Sequence, residues 1–162
     1  MVKNNYDAIV ALSFGKGSAN SYLAEVVYNI QKDHKCWLIL QKEIAKKFYD
    51  LLKAKDTQDD LLRRIRIVHK HRQEGKYLST QEVLEQARKA INGNKIILVA
   101  QPLHFQRAWY IAKKLGFKVS EGKTTCVYDK NDPQIWTRNC LLFGIWNLFA
   151  WIKCLISKRS RA

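Results

Sequence analysis

The stretch "NKIILVAQPLHFQRAWYIAKKLGF", residues 94–117, decides the fold. "KIILVA" is a continuous apolar run bounded by Asn94 and Pro102, the mark of a strand buried on both faces. Pro102 then opens a segment with helical spacing that stops at Gly116. A buried strand running straight into a helix is half of a βαβ unit, and the same unit recurs along the chain.

"DAIVALSF" (7–14) is a first apolar strand ending in the glycine turn "GKGS", and "ANSYLAEVVYNIQKD" (19–33) follows with helical periodicity. "CWLILQ" (36–41) predicts a second strand, and "KEIAKKFYDLLKAK" (42–55) an amphipathic helix with Ile44, Phe48, Leu51 and Leu52 inward. "RIRIVHKH" (64–71) alternates as a third strand. "STQEVLEQARKAING" (79–93) has Ser79 or Thr80 as a helix cap and Gly93 as its stop. "FKVSEGKTTCVYD" (117–129) predicts a fifth, less regular strand. Helices alternating with doubly buried strands predict an α/β protein. The expected form is a three-layer α/β/α Rossmann-like sandwich with a mostly parallel sheet of about five strands, plus a C-terminal apolar helix.

The 162 residues suffice for one domain with a substantial core. Residues 1–132 are expected to form the Rossmann-like part and 133–162 a helical extension, a single domain overall. That extension is apolar around most of its circumference from Cys140 to Ile156, broken by Asn147 and Lys153. Spanning a bilayer takes roughly 20 apolar residues, which makes the segment marginal as a span. Three readings stand: a helix packed on the domain, a membrane-surface helix ending in the basic "KRSRA", or a protein-interaction face.

Lys and Arg number 29 against 14 Asp and Glu, a net charge of +15. Such an excess favours anionic partners, be they small phosphorylated molecules, acidic lipid or nucleic acid. Nucleic acid is the weaker alternative, because no recognised motif and no aromatic–basic alternation on one element accompanies the charge. The four cysteines (36, 126, 140 and 154) have no metal-ligand spacing, so no metal site is expected. Cys140 and Cys154 on one straight helix stand about 21 Å apart and cannot pair. The opening "MVKNNYDAIV" lacks the pattern of a signal peptide, which gives the expectation of a cytoplasmic protein.

In doubly wound sheets, ligands bind beyond the carboxyl ends of the strands. Three groups of candidate residues fall there. His104 and Arg107, three apart, share a face in the first turns of the helix after "KIILVA", beside its free backbone N–H groups. Thr80 and Glu82 open the helix after the third strand, with Glu82 either a general base or part of an ordinary capping box. Gly15, Lys16 and Gly17 form a turn whose N–H groups suit an anion, although it is neither a Walker A loop nor GxGxxG, Asn20 standing where the third glycine would.

Together, "DAIVALSFGKG", "YLSTQEVLEQA" and "KIILVAQPLHFQRAWYIAKKLGFKV" resemble the SanA/ElyC/YdcF-like family of bacterial proteins, over roughly residues 7–150. The residues that carry the likeness are Gly15, Thr80, Glu82, His104, Arg107 and Ala108. The resemblance implies a Rossmann-like domain with its polar residues at one sheet edge, a role in the cell envelope and, from one member, S-adenosylmethionine as a ligand. The chain departs from the family pattern at Ser13-Phe14, at Gln41-Lys42-Glu43 and at Val83 after Glu82. The resulting expectation is a small anionic ligand, either nucleotide-like, S-adenosylmethionine-like or a phosphorylated envelope precursor. Gly15, Lys16, Gly17, Thr80 and Arg107 would bind it, and His104 and Glu82 would supply any acid–base chemistry. No reaction is named by these residues. Membrane contact, if the chain makes it, falls to the C-terminal helix at the inner face of the membrane. The rival functions are a basic nucleic-acid binder and a peripheral membrane scaffold acting through that helix.

Overall fold

The computed structural model describes residues 6–55, 59–68 and 78–156. His69, His71 and the terminal "KRSRA" lie outside the described residues. Five parallel strands form one sheet in the order β3-β2-β1-β4-β5: β1 Ala8–Ala11, β2 Trp37–Gln41, β3 Ile65–Val68, β4 Lys95–Val99 and β5 Lys118–Gly122. The helices are α1 Ala19–Asp33, α2 Lys42–Ala54, α3 Asp59–Arg63, α4 Thr80–Ala90, α5 Pro102–Lys114 and α6 Cys140–Ile156.

Apart from Gln41 and Lys95 at their ends, the central strands β1, β2 and β4 are apolar because both faces are covered. Ile9 and Ala11 of β1, Leu38 and Leu40 of β2, and Ile97 and Val99 of β4 join the core under α1 and α2. The alternate residues Ala8, Val10, Ile39, Ile96 and Leu98 join the second core, under α4 and α5. The period of two along each strand thus divides one apolar run between two helical layers. The three-layer α/β/α sandwich expected from the alternation is the observed one.

Strand order reverses between β1 and β4. From β1 the chain steps outward one way through β2 to β3, then crosses back to β4 and β5 on the other side. Right-handed crossovers put helices of the two directions on opposite faces. The loops after β1 and β4 therefore diverge and leave a crevice at the carboxyl edge. Two details differ from the sequence reading. The fifth strand is regular and pairs with β4 from Lys95↔Lys118 to Val99↔Gly122, and the short α3 was not foreseen. Neighbours dictate both: β4 offers β5 a complete hydrogen-bonding edge, and five residues are too few to show a helical period.

Phe48 of α2 is fully buried against this sheet. Phe48→Ala is expected to cost about 3–5 kcal/mol of unfolding free energy, measured by urea denaturation, as transfer and cavity terms add.

Candidate functional site

The site grows from the ends of β1 and β4. After Val99 and Ala100 the chain reaches Gln101, the N-cap of α5, with Pro102 at the first helical position. The Gln101 Oε1 accepts from the N–H groups of Leu103 (2.9 Å) and His104 (3.3 Å), and its Nε2 donates to the Tyr128 hydroxyl at 2.8 Å. The N–H groups expected to stand free for an anion at this helix end are consumed by a buried glutamine. Sequence reasoning passed over Gln101 because glutamine is not among the preferred capping residues.

His104 and Arg107 do share the face that looks into the crevice, and Thr80 meets them there. The Thr80 Oγ1 lies 2.9 Å from His104 Nε2. Burial, reinforced by the Arg107 charge, lowers the His104 pKa from 6.5 to about 3, so the imidazole is neutral at neutral pH. Arg107 is only 5% exposed. Its guanidinium sits 5.1 Å from the centre of the Trp146 ring, and among the described residues no carboxylate pairs with it. Desolvation pulls its pKa below the ordinary value, yet arginine keeps its charge at neutral pH. A buried cation facing a crevice without a counter-charge is an unfilled electrostatic demand.

The glycine turn departs from expectation, and Glu82 takes the capping alternative. Gly15 adopts φ +63°, and a Cβ there would lie 2.2 Å from the Asp132 carboxylate. That carboxylate Oδ2 accepts from the N–H groups of Lys16 (2.7 Å) and Gly17 (2.8 Å), and Asp129 accepts from the Ser18 N–H and Oγ. The anion seat read from the sequence is real in its geometry, but the chain fills it with its own carboxylate. Gly15 still borders the crevice, whereas Lys16 and Gly17 spend their N–H groups on Asp132. Glu82 turns back to the Ser79 N–H and Oγ, each at 2.7 Å, and forms a capping box. It acts as a cap rather than a base in the crevice, whose lining skips from Gln81 to Val83.

What closes the crevice comes from the C-terminal segment. A 3-10 turn at Ile135–Thr137 and the inner face of α6 lay Trp136, Phe143 and Trp146 across the carboxyl edge. The Trp136 and Trp146 rings stack 6.0 Å apart with planes 8° from parallel, and Phe143 packs edge-on against Phe14 at 4.7 Å. Asn147 Nδ2 donates to the Leu103 carbonyl at 2.8 Å and ties α6 to α5. The cleft so formed holds about 500 Å³, in the range of small-molecule sites. Polar side chains, among them Ser13, Thr80, His104, Arg107 and Lys153, share its wall with aromatic and aliphatic ones. The composition of α6 marked it as unusual, but nothing in sequence spacing tied Trp136 or Trp146 to Arg107, 29 and 39 positions away. Among the described residues no group of three His, Cys, Asp or Glu could hold a metal ion.

No family model, curated protein or solved structure matches the chain, and the cleft itself is the source of the functional reading.

The His104 shift has a signed consequence. Between its folded pKa of about 3 and its ordinary value of 6.5, the unfolded chain binds a proton that the folded one refuses. Its stabilising contribution is therefore complete above the ordinary value and is lost as pH falls toward the folded one, at up to about 1.4 kcal/mol per pH unit. Urea unfolding across this range should show that slope in wild type and not in His104→Asn, and the His104 ring resonances in NMR should hold still to about pH 4. Asp132→Ala, which removes the acceptor of three N–H groups, those of Lys16, Gly17 and Gln134, is expected to cost about 2–3 kcal/mol in the same unfolding assay.

Proposed function

We propose that this chain is a SanA/ElyC/YdcF-like protein that binds a small anionic ligand in the cleft at the carboxyl edge of its sheet. The observation that carries the reading is Arg107: a residue only 5% exposed, on the cleft wall, with no carboxylate partner among the described residues. A phosphate or carboxylate on the ligand supplies the missing counter-charge. Lys153 adds a second cation to the lining, and Thr80 and Ser13 add hydroxyl groups. The aromatic wall suits a planar or apolar body attached to that anion. A nucleotide, S-adenosylmethionine or a phosphorylated envelope precursor fits this description, in a cytoplasmic protein working beside the inner membrane face. A lined cleft of this size favours such a ligand over a nucleic-acid strand, whose backbone would call for an open basic groove.

His104 stands in the cleft as a neutral imidazole. Burial is the larger cause of its low pKa and the Arg107 charge the smaller, so an anion on Arg107 leaves the imidazole neutral at neutral pH. The neutral imidazole, bonded to Thr80, is the group in this cleft able to pass a proton to or from the ligand.

The test is a thermal-unfolding screen of inorganic phosphate, adenine nucleotides and S-adenosylmethionine on wild type and Arg107→Met. The methionine relieves the buried charge and should raise the unliganded Tm, by about 1–2 kcal/mol of stability, while abolishing the ligand response. In wild type, a ligand at one hundred times its Kd stabilises by ~2.7 kcal/mol. The imidazole is neutral throughout the range from about pH 7.5 to about pH 5.5, so its titration should leave that gain unchanged there, in wild type and in His104→Asn alike. Equal stabilisation of wild type and Arg107→Met by every ligand would remove Arg107 from the site.

A further inference from the structure

We infer that the outer face of α6 is a docking surface for an anionic bilayer. Leu141, Ile145, Leu148, Phe149, Ile152 and Ile156 are all exposed, with Leu141 at 73%, Phe149 at 66% and Ile156 at 63%. At 3.6 residues per turn they fall within roughly 100° of arc and make one continuous ridge along the helix. No charged residue occurs from Cys140 to Ile152. Exposed apolar surface of this extent marks an interaction site rather than ordinary surface scatter.

The helix cannot hide this ridge by rolling. Its opposite face is committed to the cleft through Phe143, Trp146, Ala150 and Cys154, and to α5 through Asn147. Nor does it span a bilayer, since no helix among the described residues is long and apolar enough to cross a membrane. A helix with one apolar ridge, too short to cross, is suited to lie in the plane of the interface.

Charge selects the partner. Lys153 is exposed beside the ridge, and Lys158, Arg159 and Arg161 follow α6 directly in sequence. Lys153 at the margin of the apolar face, in a chain of net charge +15, gains from an anionic headgroup layer, whereas a second copy of the chain would set like charges together. Trp136 and Trp146, partly exposed next to the ridge, have the amphipathic rings that settle at headgroup level.

Co-sedimentation of the full chain with vesicles decides the matter, using phosphatidylcholine alone and phosphatidylcholine with phosphatidylglycerol. Wild type should pellet with the anionic vesicles. Leu148→Ser/Phe149→Ser, which alters only exposed side chains, should bind at least about tenfold more weakly at unchanged Tm. Lys158→Gln/Arg159→Gln/Arg161→Gln should lose the preference for phosphatidylglycerol. The proposal falls if wild type stays in the supernatant, or if the serine variant binds as well as wild type. It falls equally if sedimentation velocity shows a dimer that the serine changes dissolve and vesicles do not compete for. Should the serine variant unfold, brominated lipid must still quench wild-type tryptophan fluorescence, and an absence of quenching overturns the proposal.

Discussion

The carboxylate of Asp132 holds the functional edge of this molecule together. One oxygen accepts from the N–H groups of Lys16 and Gly17, and the other accepts from the N–H of Gln134 at 2.8 Å. The Asp132 backbone carbonyl accepts from Arg138 Nε at 2.7 Å. A single buried residue thus joins the turn after β1 to the 3-10 segment that leads into α6. Two backbone donors on one carboxylate oxygen form a strong, charge-assisted arrangement. The aromatic wall over the sheet edge inherits its position from that join.

The same bond redistributes the electrostatics of the edge. A glycine turn with convergent N–H groups ordinarily offers a seat to an external anion. Here the seat is taken from within, and the N–H groups at the start of α5 are taken by Gln101. What remains facing the cleft is a side-chain cation, Arg107, beside a histidine that its own burial keeps neutral. Removing water from around a guanidinium that has no carboxylate partner costs stability.

Helix α6 works on two sides at once. Its inner residues complete the cleft, while its outer ones present six large apolar side chains to the surroundings.

Much of the fold was legible because each central strand is apolar at successive positions and each helix carries its own period. Those are local properties, and they survive without knowledge of neighbours. His104, Arg107 and Thr80 were legible as a group for the same reason: sheet topology sends the ends of parallel strands to one edge, so residues just past a strand must converge. Glu82 was ambiguous, since a capping box and a catalytic carboxylate share one pattern, and only the direction of its side chain separates them. Gln101, Asp132, Trp136 and Trp146 were not legible. Their partners lie far along the chain, as in the 116-residue separation of Lys16 from Asp132. The amino-acid sequence by itself determined the layers, the edge and the cation. Only the tertiary structure decided which donors at that edge stay free, because hydrogen-bond ownership is settled by proximity in space, and spacing along the chain does not encode it.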